Sequence, residues 1–316
     1  GGHSRPRILF HDDITGKEIT SKLLALVRTL PNVESREHAE LVDIIAEGSE
    51  CFGGVVRSED GKLTDVYADF TLLATGGVGG LYENSTNFRH LTGDSLAIAL
   101  INGVEVEHLD YVQIHPTTFY SEKQGRRFLI SESVRGEGAV LLDGEGKRFC
   151  NELMPRDVVT GDIRAQMKKE GSKFVRLDMR PVGEKTIREH FPTICAHCLE
   201  EGYDVLKEPI PVVPAQHYFM GGIKVDLDGK TSMKRLYSAG ETACNGVHGK
   251  NRLASNSLLE SLIWAERAAK AMAAKRADVL TKMPVPDHKM YEDYAKLKKK
   301  YAQIIREEAE REATID

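Results

Sequence analysis

The chain has 316 residues, 41% hydrophobic and 29% charged, enough for one large or two medium globular domains with a sizeable core. A formal charge of −5 argues against nucleic acid or an anionic membrane as the main partner. No apolar run is long enough to cross a bilayer, no signal-peptide pattern is present, and five scattered cysteines point to a reducing compartment, read as cytoplasmic.

The opening Gly1-Gly2-His3-Ser4 lacks a Met and reads like mid-loop, as a cut fragment or a cloning remnant would. Residues 19–30 carry Ile19, Leu23, Leu26, Val27 and Leu30 at helical spacing, stopped by Pro31-Asn32. Residues 41–46 and 53–57 read as strands, with a turn at Gly61-Lys62. The run 66–74 is expected to be one strand, and its apolar end suggests a parallel sheet covered on both faces. It ends in Gly76-Gly77-Val78-Gly79-Gly80, where glycines let a backbone approach a ligand at a strand's carboxyl end. A helix follows over 94–102.

Beyond Glu107 the texture changes, as an inserted domain would require. Residues 140–149 hold a hairpin turn, 155–169 a helix, and 186–202 a helix interrupted by Pro192. A Pro-rich extended segment ends at His217. Strands return at 222–226 and 235–240, the second followed by Glu241. From Ser255-Asn256-Ser257, expected to cap a helix, the chain is helical to about 277, breaks at Pro284 and Pro286, and resumes over 291–311 with a solvated, Lys- and Glu-rich face.

Gly246 to Glu260 is a glycine-, His- and Arg-containing loop that runs into this helix start, a pattern suited to an anionic or electron-rich ligand. His115 before Pro116, Arg156 at a helix start, His217 and Arg252 would form an anion site if they converge. Arginine binds carboxylates with two parallel hydrogen bonds, so a small dicarboxylic acid is the natural guest. Each of the four also has a plain structural reading as a hydrogen-bonded histidine or a carboxylate-paired arginine. Cys195-Ala-His-Cys198 is a lone CxxC, weak as a metal or redox signal and read as structural; no metal site is expected.

The motifs Ala74-Thr-Gly-Gly77, Ile114-His-Pro-Thr117, Ser131-Glu-Ser-Val-Arg-Gly-Glu-Gly138, Pro155-Arg-Asp157, Pro214-Ala-Gln-His-Tyr218, Gly221-Gly222, Ala239-Gly-Glu241 and His248-Gly-Lys-Asn-Arg-Leu-Ala-Ser-Asn-Ser-Leu258 occur in order. Over residues 1–269 the chain resembles the succinate dehydrogenase/fumarate reductase flavoprotein family. Within it the likeness is to the branch that oxidises L-aspartate to iminoaspartate for NAD biosynthesis.

The resemblance implies an α/β + α fold. A Rossmann-like FAD-binding domain (1–107 and 218–270), its first part missing, is interrupted by an α+β capping domain (108–217), with a helical region over 271–316. It implies catalytic roles for Arg156, His115, Glu132 and Arg135, and carboxylate binding by His115, Ser131, His217 and Arg252. Ser131 stands where the family usually has Thr. FAD would be contacted by Ala74, Thr75, Gly76, Gly77, Asp94, Glu241, Asn256, Ser257 and Leu258. It further implies oxygen or fumarate as electron acceptor and a hand-off of product to quinolinate synthase.

The family's GxGxxG loop, the acid that binds the substrate ammonium and the histidine that carries covalent flavin would all precede Gly1. The fragment is therefore expected to be apo and inactive. The alternatives are a fumarate reductase or succinate dehydrogenase flavoprotein subunit, and a non-catalytic dicarboxylate-binding fragment.

Overall fold

The computed structural model describes residues 5, 7–275 and 283–314. Its first helix, α1 (Thr15–Val27), starts and ends earlier than expected, and none of its residues is buried. The apolar side of its pattern, including Leu23, Leu26 and Val27, is exposed.

Strands β1 (Ala39–Glu47), β2 (Glu50–Ser58) and β3 (Leu63–Tyr67) form an antiparallel meander in that order. The single strand expected over 66–74 is two. The meander ends at Tyr67, the Ala68-Asp69-Phe70 bend intervenes, and β4 (Thr71–Leu73) joins a different sheet. Asp69 is a poor strand former, which suits a break there.

Next come α2 (Asp94–Ile101), β5 (Val106–Glu107), β6 (Val112–Phe119), α3 (Glu132–Gly136), β7 (Val140–Leu142) and α4 (Arg156–Glu170). Pro155 is the N-cap of α4 rather than part of it. After β8 (Val175–Asp178) the interrupted helix is two, α5 (Glu184–His190) and α6 (Pro192–Glu200). Pro192 takes the first position of α6, where no N–H is needed.

Strands β9 (Ile210–Phe219), β10 (Gly222–Lys224), β11 (Leu236–Ser238) and β12 (Ala243–Cys244) precede α7 (Asn256–Ala273) and α8 (Tyr294–Ala313). The expected side-chain cap of α7 is absent: Ser255 occupies the cap position in a left-handed conformation, φ 67°, and Asn256 N donates to Leu253 O instead. The expected helical run to 277 extends past the described residues, and α7 itself ends at Ala273. A 3₁₀ turn, His288–Tyr291, precedes α8, which starts later than 291 because Asp293 caps it by accepting from Lys296 N.

Contacts divide the mixed α/β chain into two compact units. The first groups residues through Glu34 and Tyr82–Arg89 with Ile114–His217; the second groups Ser35–Leu81 and His90–Gln113 with Tyr218 onward. Contacts thus group residues 7–34 and 82–89 with Ile114–His217, and 108–113 with the second unit.

The first unit is built on the sheet β6-β9-β8-β7 and a core that includes Ile130, Leu141, Ile163, Leu177 and Ile210. Asp13 caps α6 from outside the helix, its Oδ2 accepting from Thr193 N at 2.9 Å and Ile194 N at 3.2 Å.

The second unit contains the meander, the parallel pairs β4–β11 and β10–β12, and a core of Val42, Ile44, Leu96, Ile98 and Leu236. Helix α8 is not merely a solvated charged helix: Leu297, Tyr301 and Ile305 are buried in that core. The Tyr301 hydroxyl donates to Val42 O at 2.6 Å, and Tyr291 to Asp43 Oδ2 at 2.9 Å.

Candidate functional site

In the first unit, strand β6 carries His115 and strand β9 carries His217, their rings edge-to-face at 5.2 Å. His115 is 1% exposed, and its Nδ1 lies between Thr117 N (3.2 Å) and Thr117 O (3.1 Å). Burial, then the charges of His217, Arg156 and Arg135, hold His115 well below the usual histidine range, so it is neutral at pH 7.

Two helix starts supply the charged groups. Glu132 opens α3 and Arg156 opens α4, and Glu132 Oε2 accepts from both Arg156 Nε (2.7 Å) and Arg156 Nη2 (2.5 Å). Burial raises the Glu132 carboxyl, but the charge and hydrogen bond of Arg156, with the charge of Arg135, outweigh it and lower the pKa. Arg135 is 2% exposed; its Nη1 donates to Glu152 O at 2.6 Å, while Nε and Nη2 have no protein partner among the described residues. Burial lowers its pKa below the ordinary arginine value. Ser131 caps α3, its Oγ accepting from Ser133 N. Sequence reasoning therefore named six residues that the fold gathers into one unit: His115, Ser131, Glu132, Arg135, Arg156 and His217.

Arg252 belongs to the second unit. It is 5% exposed, donates to Gln113 Oε1 (3.1 Å) and Ser257 Oγ (3.3 Å), and lies over the Tyr218 ring at 4.5 Å. Tyr218 also meets His248 edge-to-face at 5.5 Å and hydrogen-bonds Glu260, which accepts from Asn245 as well. His248 Nε2 is buried without a partner among the described residues. Burial and the Arg252 charge push His248 down to about 4. Gln113, Tyr218 and Glu260 escaped the sequence reading. Gln113 lies two residues before His115 in a strand-like run, a spacing that could have marked it.

The glycine motif and Glu241 meet in this unit. A Cβ on Gly77 would lie 2.6 Å from Glu241 Oε1 and 3.0 Å from Phe219 Cβ, so only glycine fits there without a shift. Glu241 Oε1 accepts from Phe219 N at 2.9 Å, and Thr242 Oγ1 donates to Gly76 O at 2.8 Å. Thr75 bonds Ser95 and, at 3.1 Å, Thr242. Asp94 opens α2 and is paired with Lys298 of α8, which also meets Glu40 at 2.8 Å. Lys298 was not visible as a partner because it lies far along the chain.

Burial pushes Glu241 from 4.5 up to about 7. The folded state then holds a proton that the unfolded chain has released, so stability falls as pH rises from about 4.5 through 7. The gap corresponds to about 3 kcal/mol. Glu241→Gln keeps the acceptor for Phe219 N and is expected to flatten this part of a pH–stability curve, raising the urea midpoint at pH 8 but not at pH 4. An equal slope in the variant would remove Glu241 as the cause.

Cys195 and Cys198 are free thiols one turn apart on α6. Burial raises both, Cys198 to about 12, which disfavours the thiolate that metal binding and redox exchange require. Among the described residues, no group of three or more His, Cys, Asp or Glu could hold a metal ion, and no helix is long and apolar enough to cross a membrane.

The sequence matches the family described as FAD binding domain over residues 1–258. The chain belongs to that FAD-binding family. It is 53% identical over 270 residues to an L-aspartate oxidase of Clostridium perfringens, an overlap of 85% of this chain and 61% of that protein. It is 48% identical to an L-aspartate oxidase of Clostridium acetobutylicum, covering 85% of this chain and 62% of that one. Among solved structures it is similar to the quinol fumarate reductase of E. coli, with a TM-score of 0.77 and 31% identity over 93% of this chain and 53% of that chain. The chain thus spans about three-fifths of the length of these two relatives.

Proposed function

We propose that this chain carries the dicarboxylate-binding and proton-transfer groups, and part of the flavin cradle, of an oxidase that converts L-aspartate to iminoaspartate for NAD biosynthesis. The observation that carries this reading is the half-buried pairing of Arg156 with Glu132, beside Arg135 and a neutral His115. The finer architecture in this reading is an FAD-binding domain interrupted by an α+β capping domain that bears this cluster.

The second unit fits FAD: Gly77 has no room for a side chain against Glu241, no side chain caps α7, and the buried His248 Nε2 lacks a protein partner among the described residues. Ala74 to Gly77, Asp94, Glu241 and Asn256 to Leu258 would hold it. When bound, FAD supplies the two-electron acceptor that no side chain can replace.

A carboxylate can only accept hydrogen bonds. His115, Ser131 and His217 serve as hydrogen-bond donors to the substrate carboxylates, and Arg252 adds a charged fork. Arg156 exchanges the substrate proton and Glu132 takes it over at Oε2. Arg135 supports that role by keeping Glu132 ionised. Holding both substrate carboxylates fixes the reacting carbon, an effect worth about 7–11 kcal/mol in well-oriented systems.

Oxygen or fumarate would reoxidise the flavin, and quinolinate synthase would receive the product before water hydrolyses the imine. Turnover is to be assayed in a form matching the full length of the relatives. The likeness to quinol fumarate reductase supports a second reading, a fumarate reductase or succinate dehydrogenase flavoprotein subunit. Peroxide and iminoaspartate formed from L-aspartate by the full-length form are expected. Succinate-driven dye reduction without aspartate turnover would favour the second reading, and succinate binding without either reaction a non-catalytic binding fragment.

A further inference from the structure

A guanidinium is aimed by whatever holds it, and a neutral holder leaves its charge for another partner. Arg135 stands three residues after Glu132 on α3, so the two share a helix face. Its Nη1 donates to the backbone oxygen of Glu152 at 2.6 Å, an uncharged acceptor.

The Glu152 carboxylate, which could have cancelled that charge, is engaged elsewhere. Glu152 is 2% exposed, and its Oε1 accepts from Leu141 N at 2.8 Å. Leu141 lies on β7, the end strand of its sheet, where an outer N–H needs a partner beyond the ladder. Both carboxylate oxygens also accept from Arg148. Its Nε lies 3.1 Å from Oε1 and 3.0 Å from Oε2, and its Nη2 lies 2.5 Å from Oε2. The directions of these bonds are fixed, because guanidinium and backbone N–H groups only donate and a backbone carbonyl only accepts.

The side chain of Glu152 thus anchors the residue whose carbonyl meets Arg135. Past the Asn151–Met154 turn and the Pro155 cap, the same stretch enters α4 at Arg156. Arg156 and Arg135 are the two arginines whose charges act on the Glu132 carboxyl. Glu152 touches one of them and leads the chain into the other.

We infer that Glu152, locked by Arg148, is a positioning residue: its anchored carboxylate holds its carbonyl against Arg135 and so sets where that charge sits beside Glu132. The proton-transfer task of Glu132 rests on the functional reading above; the aiming of Arg135 rests on the hydrogen bonds alone.

Nitrogen NMR on the 316-residue chain labelled at arginine follows the guanidinium directly, the Arg135 signals being assigned by their loss in Arg135→Lys. In the unsubstituted chain Arg135 is expected to show separate, slowly exchanging Nη signals, as a held guanidinium does. Glu152→Gln keeps an acceptor for Leu141 N but loses the charge that holds the Arg148 fork. Arg148→Met removes the fork from its half-exposed side. Both variants are expected to merge the Arg135 Nη signals into one. Lys147→Met, which breaks only an exposed pair with Glu145 in the same turn, should leave them separate. In a form that turns over L-aspartate, the first two variants should lower kcat by about 10–10²-fold and change KM by no more than about threefold. Separate signals persisting in both variants would overturn the inference. So would a single averaged signal in the unsubstituted chain, which needs no variant to fold. Merged signals with an unchanged kcat would instead overturn the proton-transfer reading of Glu132 and leave Glu152 in its place.

Discussion

Replacing Arg156 by lysine in a form that turns over L-aspartate is expected to lower kcat by about 10²–10⁴-fold, the usual range for a positioned proton-transfer group. On the proposed reading other residues hold the substrate, so KM should change by no more than about fivefold. Lysine keeps the charge but not the planar fork. In the structure both Nε and Nη2 of Arg156 converge on one oxygen of Glu132. A single ammonium cannot keep that double contact and also present a donor to substrate. Steady-state kinetics decide the matter: an unchanged kcat with a raised KM would make Arg156 a carboxylate clamp instead.

Gly222→Ala is expected to destabilise the protein by about 3 kcal/mol or more, through backbone strain and overpacking together. Gly222 has φ 144°, and a Cβ there would lie 2.3 Å from Thr242 O and 2.9 Å from Thr242 C. Both are backbone atoms next to Glu241, so relief requires moving β10 from β12, which pair at Ile223 and Ala243. Gly103→Ala is the control. Its φ of 70° is also left-handed, but nothing lies within 4 Å, so the cost should be only about 1–2 kcal/mol. Urea midpoints of the two variants measure the difference. Equal losses would refute the steric argument.

Local pattern carried much of the fold. The first two meander strands, α2, α4 and α7 could be read because their periodicity and breakers lie within a few residues of one another. The split of residues 66–74 could not, since which sheet a strand joins depends on partners such as β11, far along the chain. The exposed side of α1 was equally hidden: helical spacing reports an apolar stripe and not what covers it.

In the site, residues inside dense motifs were legible, and His115, Glu132, Arg135, Arg156 and His217 do share a unit. Their supporting groups were not. Thr86, Gln113 and Lys298 have ordinary sequence surroundings, and Tyr218 and Glu260 lie in singled-out stretches without a role of their own; long-range hydrogen bonds or ring contacts give all five their interest. The cap of α7 failed for a different reason: Ser255 has the right side chain on a left-handed backbone that does not cap.

The docking of α8 also has a consequence for synthesis. Tyr301 bonds Val42 across 259 residues, and Tyr291 bonds Asp43 across 248. At about 5–20 residues per second, a ribosome takes roughly 12–50 s to make the intervening chain. Throughout that interval Val42, Ile44 and Ile45 wait on a nascent sheet for much of their cover, a period of exposure to aggregation and a reason to engage chaperones. Ile114–His217 is instead one continuous stretch, so most contacts of its unit can close while α8 is still unmade. A sheet made early in this stretch is closed by a helix made about 250 residues later.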